Sequence, residues 1–101
     1  AAACTVAAPR FARAQGPAGA DIFRVRCVMF HGQQGRGNGP MAASMNPRPM
    51  DFTDSTKRLA TTDSAVADVI RRGRRTMPAF GQMLSRTQVD SVVAFIRTLH
   101  R

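Results

Sequence analysis

The sequence predicts an all-α fold from three observations. Apolar residues recur at helical spacing in three segments, almost nothing alternates at period two, and loops dense in glycine and proline separate the segments. A chain of 101 residues supports one small core and no second.

Residues 1–18 are rich in Ala, Pro, Gly and Arg without a sustained period, so they read as a tail or linker ahead of a domain spanning 19–101. Two export signals overlap there. Ala1-Ala2-Ala3-Cys4 resembles the end of a bacterial lipoprotein signal, with Cys4 as the lipidated residue, and Ala12-Arg13-Ala14 before Gln15 fits ordinary secretory cleavage. The chain does not begin with methionine and reads as a processed product or as the ordered part of something longer. Neither signal contains the ~20 apolar residues of a membrane span.

The first helix is expected from Asp21 to about His31, carrying Ile22, Val25 and Phe30 and ending at Gly32. Residues 32–53 read as mostly loop. A second helix opens at Asp63 as cap, runs through Val66, Val69 and Ile70, and stops at Gly73. Ser85-Arg86-Thr87-Gln88 is a capping-box pattern, opening a third helix with Val89, Val92, Val93, Ile96 and Leu99 on one apolar face. Phe23 and Phe95 are expected to join the first and last helices where they cross. Loops this long in so small a domain require a function.

Cys27-Val28-Met29-Phe30-His31 supplies one. Positions i, i+3 and i+4 share a helix face, so Cys27, Phe30 and His31 look at one object. Covalent haem attachment uses Cys-x-x-Cys-His. Phe30 stands at the second cysteine, which limits the motif to a single thioether through Cys27. His31 supplies a neutral imidazole for iron, and its other ring nitrogen needs a hydrogen-bond acceptor. Two competing uses of Cys27, a disulfide with Cys4 and a buried inert thiol, rank behind.

Three further segments follow in order: His31-Gly32-Gln33-Gln34-Gly35-Arg36-Gly37-Asn38-Gly39-Pro40, then Pro47-Arg48-Pro49-Met50-Asp51-Phe52-Thr53, then Gly73-Arg74-Arg75-Thr76-Met77-Pro78-Ala79-Phe80-Gly81. With them, the chain from about Gly19 to Leu99 resembles a small bacterial class I cytochrome c domain. The resemblance implies a small cytochrome c fold, with three main helices and long loops wrapped around one haem c. It implies His31 as one iron ligand, and the Pro40 carbonyl as acceptor for the second ring nitrogen of His31. Phe30 would pack against the vinyl group that the missing cysteine leaves free. Phe52 and Phe80 read first as core packing, with a border of the haem as the second reading.

Met77 is the expected opposite ligand, because Pro78 biases it towards extended backbone suited to a ligand loop. Methionine is more often core filler than ligand, so position decides: Met50 ranks second and Met83 third, ahead of Met29, Met41 and Met45. His100, at the C-terminus, is set aside.

Fifteen Lys and Arg against six acids give a net charge of +9, which bears on partners and association rate. Nucleic acid is set aside, since the chain has no Tyr or Trp and its aromatics do not interleave with its arginines. The expected partners are redox proteins with acidic docking surfaces, or an anionic membrane. Arg71, Arg72, Arg74 and Arg75 bracket Gly73 and serve either as helix-end cations or as a haem-propionate contact and docking patch. Arg48 is a further propionate candidate.

The resulting expectation is one-electron transfer by His/Met-ligated iron in a respiratory or photosynthetic chain, with no substrate chemistry and hence no enzyme. Two alternatives stay open: a ligand-binding haem sensor with a displaceable Met77, and a basic structural subunit that has lost haem. The protein is expected to be exported and periplasmic, at the inner membrane; a membrane-associated subunit or tethered domain ranks ahead of a free carrier, and both stay open. Cys4 or the N-terminal segment would provide the tether.

Overall fold

The computed structural model describes residues 17–99. The two processing signals, Cys4 and His100 lie outside the described residues. Among the described residues five α-helices form: α1 (Pro17–Arg26), α2 (Val28–His31), α3 (Ser55–Ala60), α4 (Asp63–Arg72) and α5 (Arg86–Ile96), with a 3₁₀ turn at Ala42–Ser44. Among the described residues there is no strand, only an isolated bridge between Arg74 and Met77. The all-α expectation is met.

Three local differences have clear causes. The expected first helix starts earlier, with Pro17 at the first helical position where its missing N–H is harmless. It is interrupted at Cys27, although the Cys27 N–H still donates to the Phe23 carbonyl at 2.8 Å and the His31 N–H to the Cys27 carbonyl at 2.8 Å. Gly32, at φ 82°, then ends α2. In α4 the cap is Thr62, not Asp63: the Ala65 N–H donates to Thr62 Oγ1, and Asp63 is the first helical residue. Helix α3 had no counterpart in the expected set, and Asp54 caps it by accepting from the N–H groups of Thr56 and Lys57. The capping box of α5 forms with both bonds, Gln88 N–H to Ser85 Oγ at 3.1 Å and Ser85 N–H to Gln88 Oε1 at 2.8 Å.

The most extensive helix interface joins α1 to α5. A Cβ at Gly19 would stand 2.2 Å from the Ser91 carbonyl oxygen, so only glycine lets the two backbones touch there. One turn on, Phe23 meets Phe95 with ring centroids 5.2 Å apart. The buried core is Phe23, Ala67, Ile70, Phe80, Val89, Val92, Val93 and Ile96. Each large apolar side chain there is worth roughly 1.5–3 kcal/mol of burial. Arg97 donates to the Asp63 carboxylate and the Thr61 carbonyl, tying the end of α5 to the α3–α4 junction. What remains between the α1–α2 junction, the 45–50 segment, α4 and the loop after it is a cavity.

Candidate haem site

The cavity has two adjoining lobes of about 520 and 210 Å³, within the range of cofactor sites. Cys27, Phe30, His31 and Met77 all line the larger lobe, and Cys27, His31, Met50 and Met77 line both. Phe80 and Val69 are shared walls, while Phe23, Phe52, Val66, Leu84, Val92 and Ile96 close the smaller lobe.

His31 is 8 % exposed. Its Nδ1–H donates to the carbonyl of Met50 at 3.1 Å, which leaves Nε2 as the nitrogen with a free lone pair. Burial lowers its pKa below the ordinary value, against the Met50 carbonyl, which raises it; the ring is held neutral, the form that binds metal. The face of the ring stacks on Phe52, with centroids 4.4 Å apart and planes 27° apart.

The acceptor is therefore Met50 and not Pro40, a correction to the expected site. Pro40 is exposed and lines neither lobe. Its neighbours are engaged elsewhere: the Gly39 N–H bonds the Phe30 carbonyl at 3.1 Å and the Met41 N–H bonds the Met29 carbonyl at 2.9 Å. These bonds lay Pro40 against the backbone of α2, and the 49–52 segment reaches the imidazole instead.

Met77 sits on a stiff loop. Arg74 and Met77 exchange two backbone hydrogen bonds, and the turn between them holds Arg75 at φ 54°. The loop folds back on α4: the Phe80 N–H caps the Ile70 carbonyl at 2.9 Å and the Gly81 N–H caps the Arg71 carbonyl at 3.0 Å, satisfying carbonyls a helix end leaves open. Met50 is anchored on the Nδ1 side of His31, so the lone pair of Nε2 is directed away from its carbonyl. Met83 is 54 % exposed and lines neither lobe, as are Met29 at 49 % and Met41 at 45 %.

Burial pushes the Cys27 thiol up to about 11. The four arginines around Gly73 divide. Arg71 and Arg72 pair with Asp68 at 3.5 and 3.2 Å, while Arg74 and Arg75 line the larger lobe together with Arg26, Arg48 and Lys57. Among the described residues no carboxylate lines either lobe. Arg26 and Lys57 were not singled out from the sequence; Arg26 directly precedes Cys27, which was the available signal.

A neutral imidazole, a thioether and a thiol on the walls of one apolar cavity, rimmed by cations, fit an iron porphyrin with its two carboxylates. Together with the helical fold they define a haem c-binding electron-transfer domain of the cytochrome c type. Residues 14–96 match the family model described as cytochrome c oxidase, cbb3-type, subunit III, and the chain belongs to that family. It is 29% identical over 82 residues to the Cbb3-type cytochrome c oxidase subunit FixP of Azorhizobium caulinodans, a match covering 80% of this chain and 26% of that protein. The chain thus spans about a quarter of the length of this curated relative. Among solved structures it resembles the KustC0563 c-type cytochrome, with TM-score 0.72, 21% identity, and 82% and 98% of the two chains covered. It also resembles a chain of the Kuenenia stuttgartiensis reducing HAO-like protein complex Kustc0457/Kustc0458, with TM-score 0.72, 22% identity, and 94% and 46% covered. At these identities the two structures establish the fold.

Proposed function

We propose that this domain has the class I arrangement, in which His31 and Met77 would ligate the iron and Cys27 would hold one haem c by a single thioether. It would serve as a fixed subunit of a membrane-associated respiratory complex on the periplasmic side. The observation that carries the ligation is the convergence of Cys27, His31 and Met77 on one cavity with apolar walls. When bound, the haem supplies a one-electron iron couple, whose potential His/Met ligation raises. The chain supplies the rest. His31 presents Nε2 because Met50 holds Nδ1, Met77 presents a thioether from a braced turn, and the core excludes water from the inner wall. Phe30 fills the place of the second thiol.

A fixed subunit is supported by the oxidase relative, which is named as a subunit of a Cbb3-type cytochrome c oxidase. Among the described residues no helix is long and apolar enough to cross a membrane; Cys4 or the N-terminal segment would provide the tether. Arg26, Arg48, Lys57, Arg74 and Arg75 outnumber the two haem carboxylates, and the excess favours an acidic partner at the cavity mouth. A redox titration of the purified haem-loaded chain, followed in the visible spectrum, tests the function. One wave of one electron with a six-coordinate low-spin spectrum in both states is expected. A chain that gives a five-coordinate spectrum in the reduced state would overturn the ligand set.

A further inference from the structure

The segment Pro49–Phe52 touches His31 twice, through the Met50 carbonyl on Nδ1 at 3.1 Å and the Phe52 ring on its face at 4.4 Å. The same segment is backed by the glycine loop. The Phe52 N–H donates to the Gly35 carbonyl at 2.7 Å, and the Gly37 N–H donates to the His31 carbonyl at 2.8 Å. Gly37 has φ +77°, and a Cβ there would stand 2.5 Å from the Pro49 carbonyl oxygen and 3.3 Å from that of Met50. Gly37 is thus wedged between the backbone of His31 and the segment that supplies the acceptor.

From this, resting on the assignment of His31 as iron ligand, we infer that Gly37 and Phe52 are positioning residues that set the reduction potential through the imidazole. A carbonyl on Nδ1–H makes an imidazole a stronger donor and fixes its plane. A stronger donor favours the oxidised, more positively charged iron. The Phe52 ring bars the imidazole from turning away from Met50 and shields Nδ1–H from water. Gly37 sets how closely the carbonyl approaches. Loosening either contact weakens the donor and raises the potential.

The experiment compares haem-loaded variants by potential and by solvent exchange of the His31 Nδ1–H in the reduced, diamagnetic state. Gly37→Ala must displace the Pro49 and Met50 carbonyls; it should speed proton exchange and move the redox equilibrium towards the reduced form by roughly tenfold, about 59 mV for one electron. Phe52→Leu keeps apolar bulk without a ring and should shift both readouts in the same direction by less. Phe52→Tyr keeps the ring and should behave as the parent. Gly32→Ala carries the same positive-φ strain (φ +82°) but collides with the movable Asn38 side chain, so it reports what strain alone does. The inference is overturned if Gly37→Ala and Phe52→Leu keep the parent's exchange rate and shift the potential no more than Gly32→Ala. Absence of the ring-current-shifted signals of a coordinated His31 in the parent would instead overturn the ligation itself, and this inference with it.

Discussion

Arg74 and Met77 close on each other through two backbone hydrogen bonds, Arg74 N–H to the Met77 carbonyl at 3.1 Å and Met77 N–H to the Arg74 carbonyl at 2.9 Å. The bridge immobilises the backbone of Met77 at both of its polar groups, so only the thioether side chain retains freedom. Gly73 makes it feasible: a Cβ there would lie 2.7 Å from the Met77 carbonyl oxygen. As the proposed iron ligand, Met77 held this way would not have to be ordered on binding, which would reduce the entropic cost of ligation.

The first prediction concerns that ligand. Met77→Ala should open the sixth position, lower the potential and admit carbon monoxide to the reduced protein. Met50→Ala should leave the ligation bands in place, since Met50 contributes its backbone carbonyl to His31 and not its sulfur. Carbon monoxide binding in Met50→Ala but not in Met77→Ala would reverse the assignment.

A second prediction follows from the division of the arginines. Oxidation by ferricyanide, a small polyanion, should be fast at 0.01 M salt and fall steeply by 0.1 M, as the Debye length shrinks from ~30 Å to ~10 Å. Replacing Lys57, Arg74 and Arg75 by Gln should flatten that profile. Replacing Arg71 and Arg72, already paired with Asp68, should change it much less. Equal effects from the two sets would remove the mouth of the cavity as the focus of attraction.

The buried imidazole predicts a pH dependence in the haem-free chain. The pKa of His31 is lowered on folding, so the unfolded chain takes up its proton first, near the ordinary value of about 6.5. Stability should hold above that value and decline as pH falls below it. His31→Asn should remove this part of the slope. Urea midpoints measured from pH 8 to pH 5 in both chains check it; parallel profiles would mean that His31 titrates alike folded and unfolded.

Burial of Cys27 predicts slow chemistry at its sulfur. With the thiol pushed up to about 11 from an ordinary 9.0, the thiolate fraction near pH 8 should be about hundredfold lower in the folded haem-free chain than after unfolding. Iodoacetamide labelling followed by mass spectrometry measures the ratio at Cys27. Equal rates in native buffer and in urea would contradict the buried environment.

Much of this molecule was legible in its sequence because local rules dictated it. The capping box at Ser85 and Gln88, the stops at Gly32 and Gly73, and the apolar stripe of α5 depend on residues three or four apart. The pairing of Phe23 with Phe95 followed from two helices each offering one large ring. What escaped was set by contacts distant in sequence. Nothing near Pro40 announces that its loop is bonded back to Met29 and Phe30, leaving the imidazole to a carbonyl 19 residues away. The split of the four arginines is a local matter by contrast: Asp68 lies one helical turn from Arg71 and Arg72, a spacing that was legible and went unused. The short helix α3 was passed over because its cap, Asp54, opens a stretch with little apolar periodicity.

The central claim, one haem c bound through Cys27 alone, is tested most directly by the intact mass of the haem-loaded chain after acid and organic-solvent extraction. The account predicts the mass of the chain plus one haem, lost entirely in Cys27→Ala, together with a reduced pyridine spectrum between those of ordinary c-type and b-type haem because one vinyl group stays unsaturated. A parent chain stripped of haem by the extraction, or haem retained in Cys27→Ala, would contradict it.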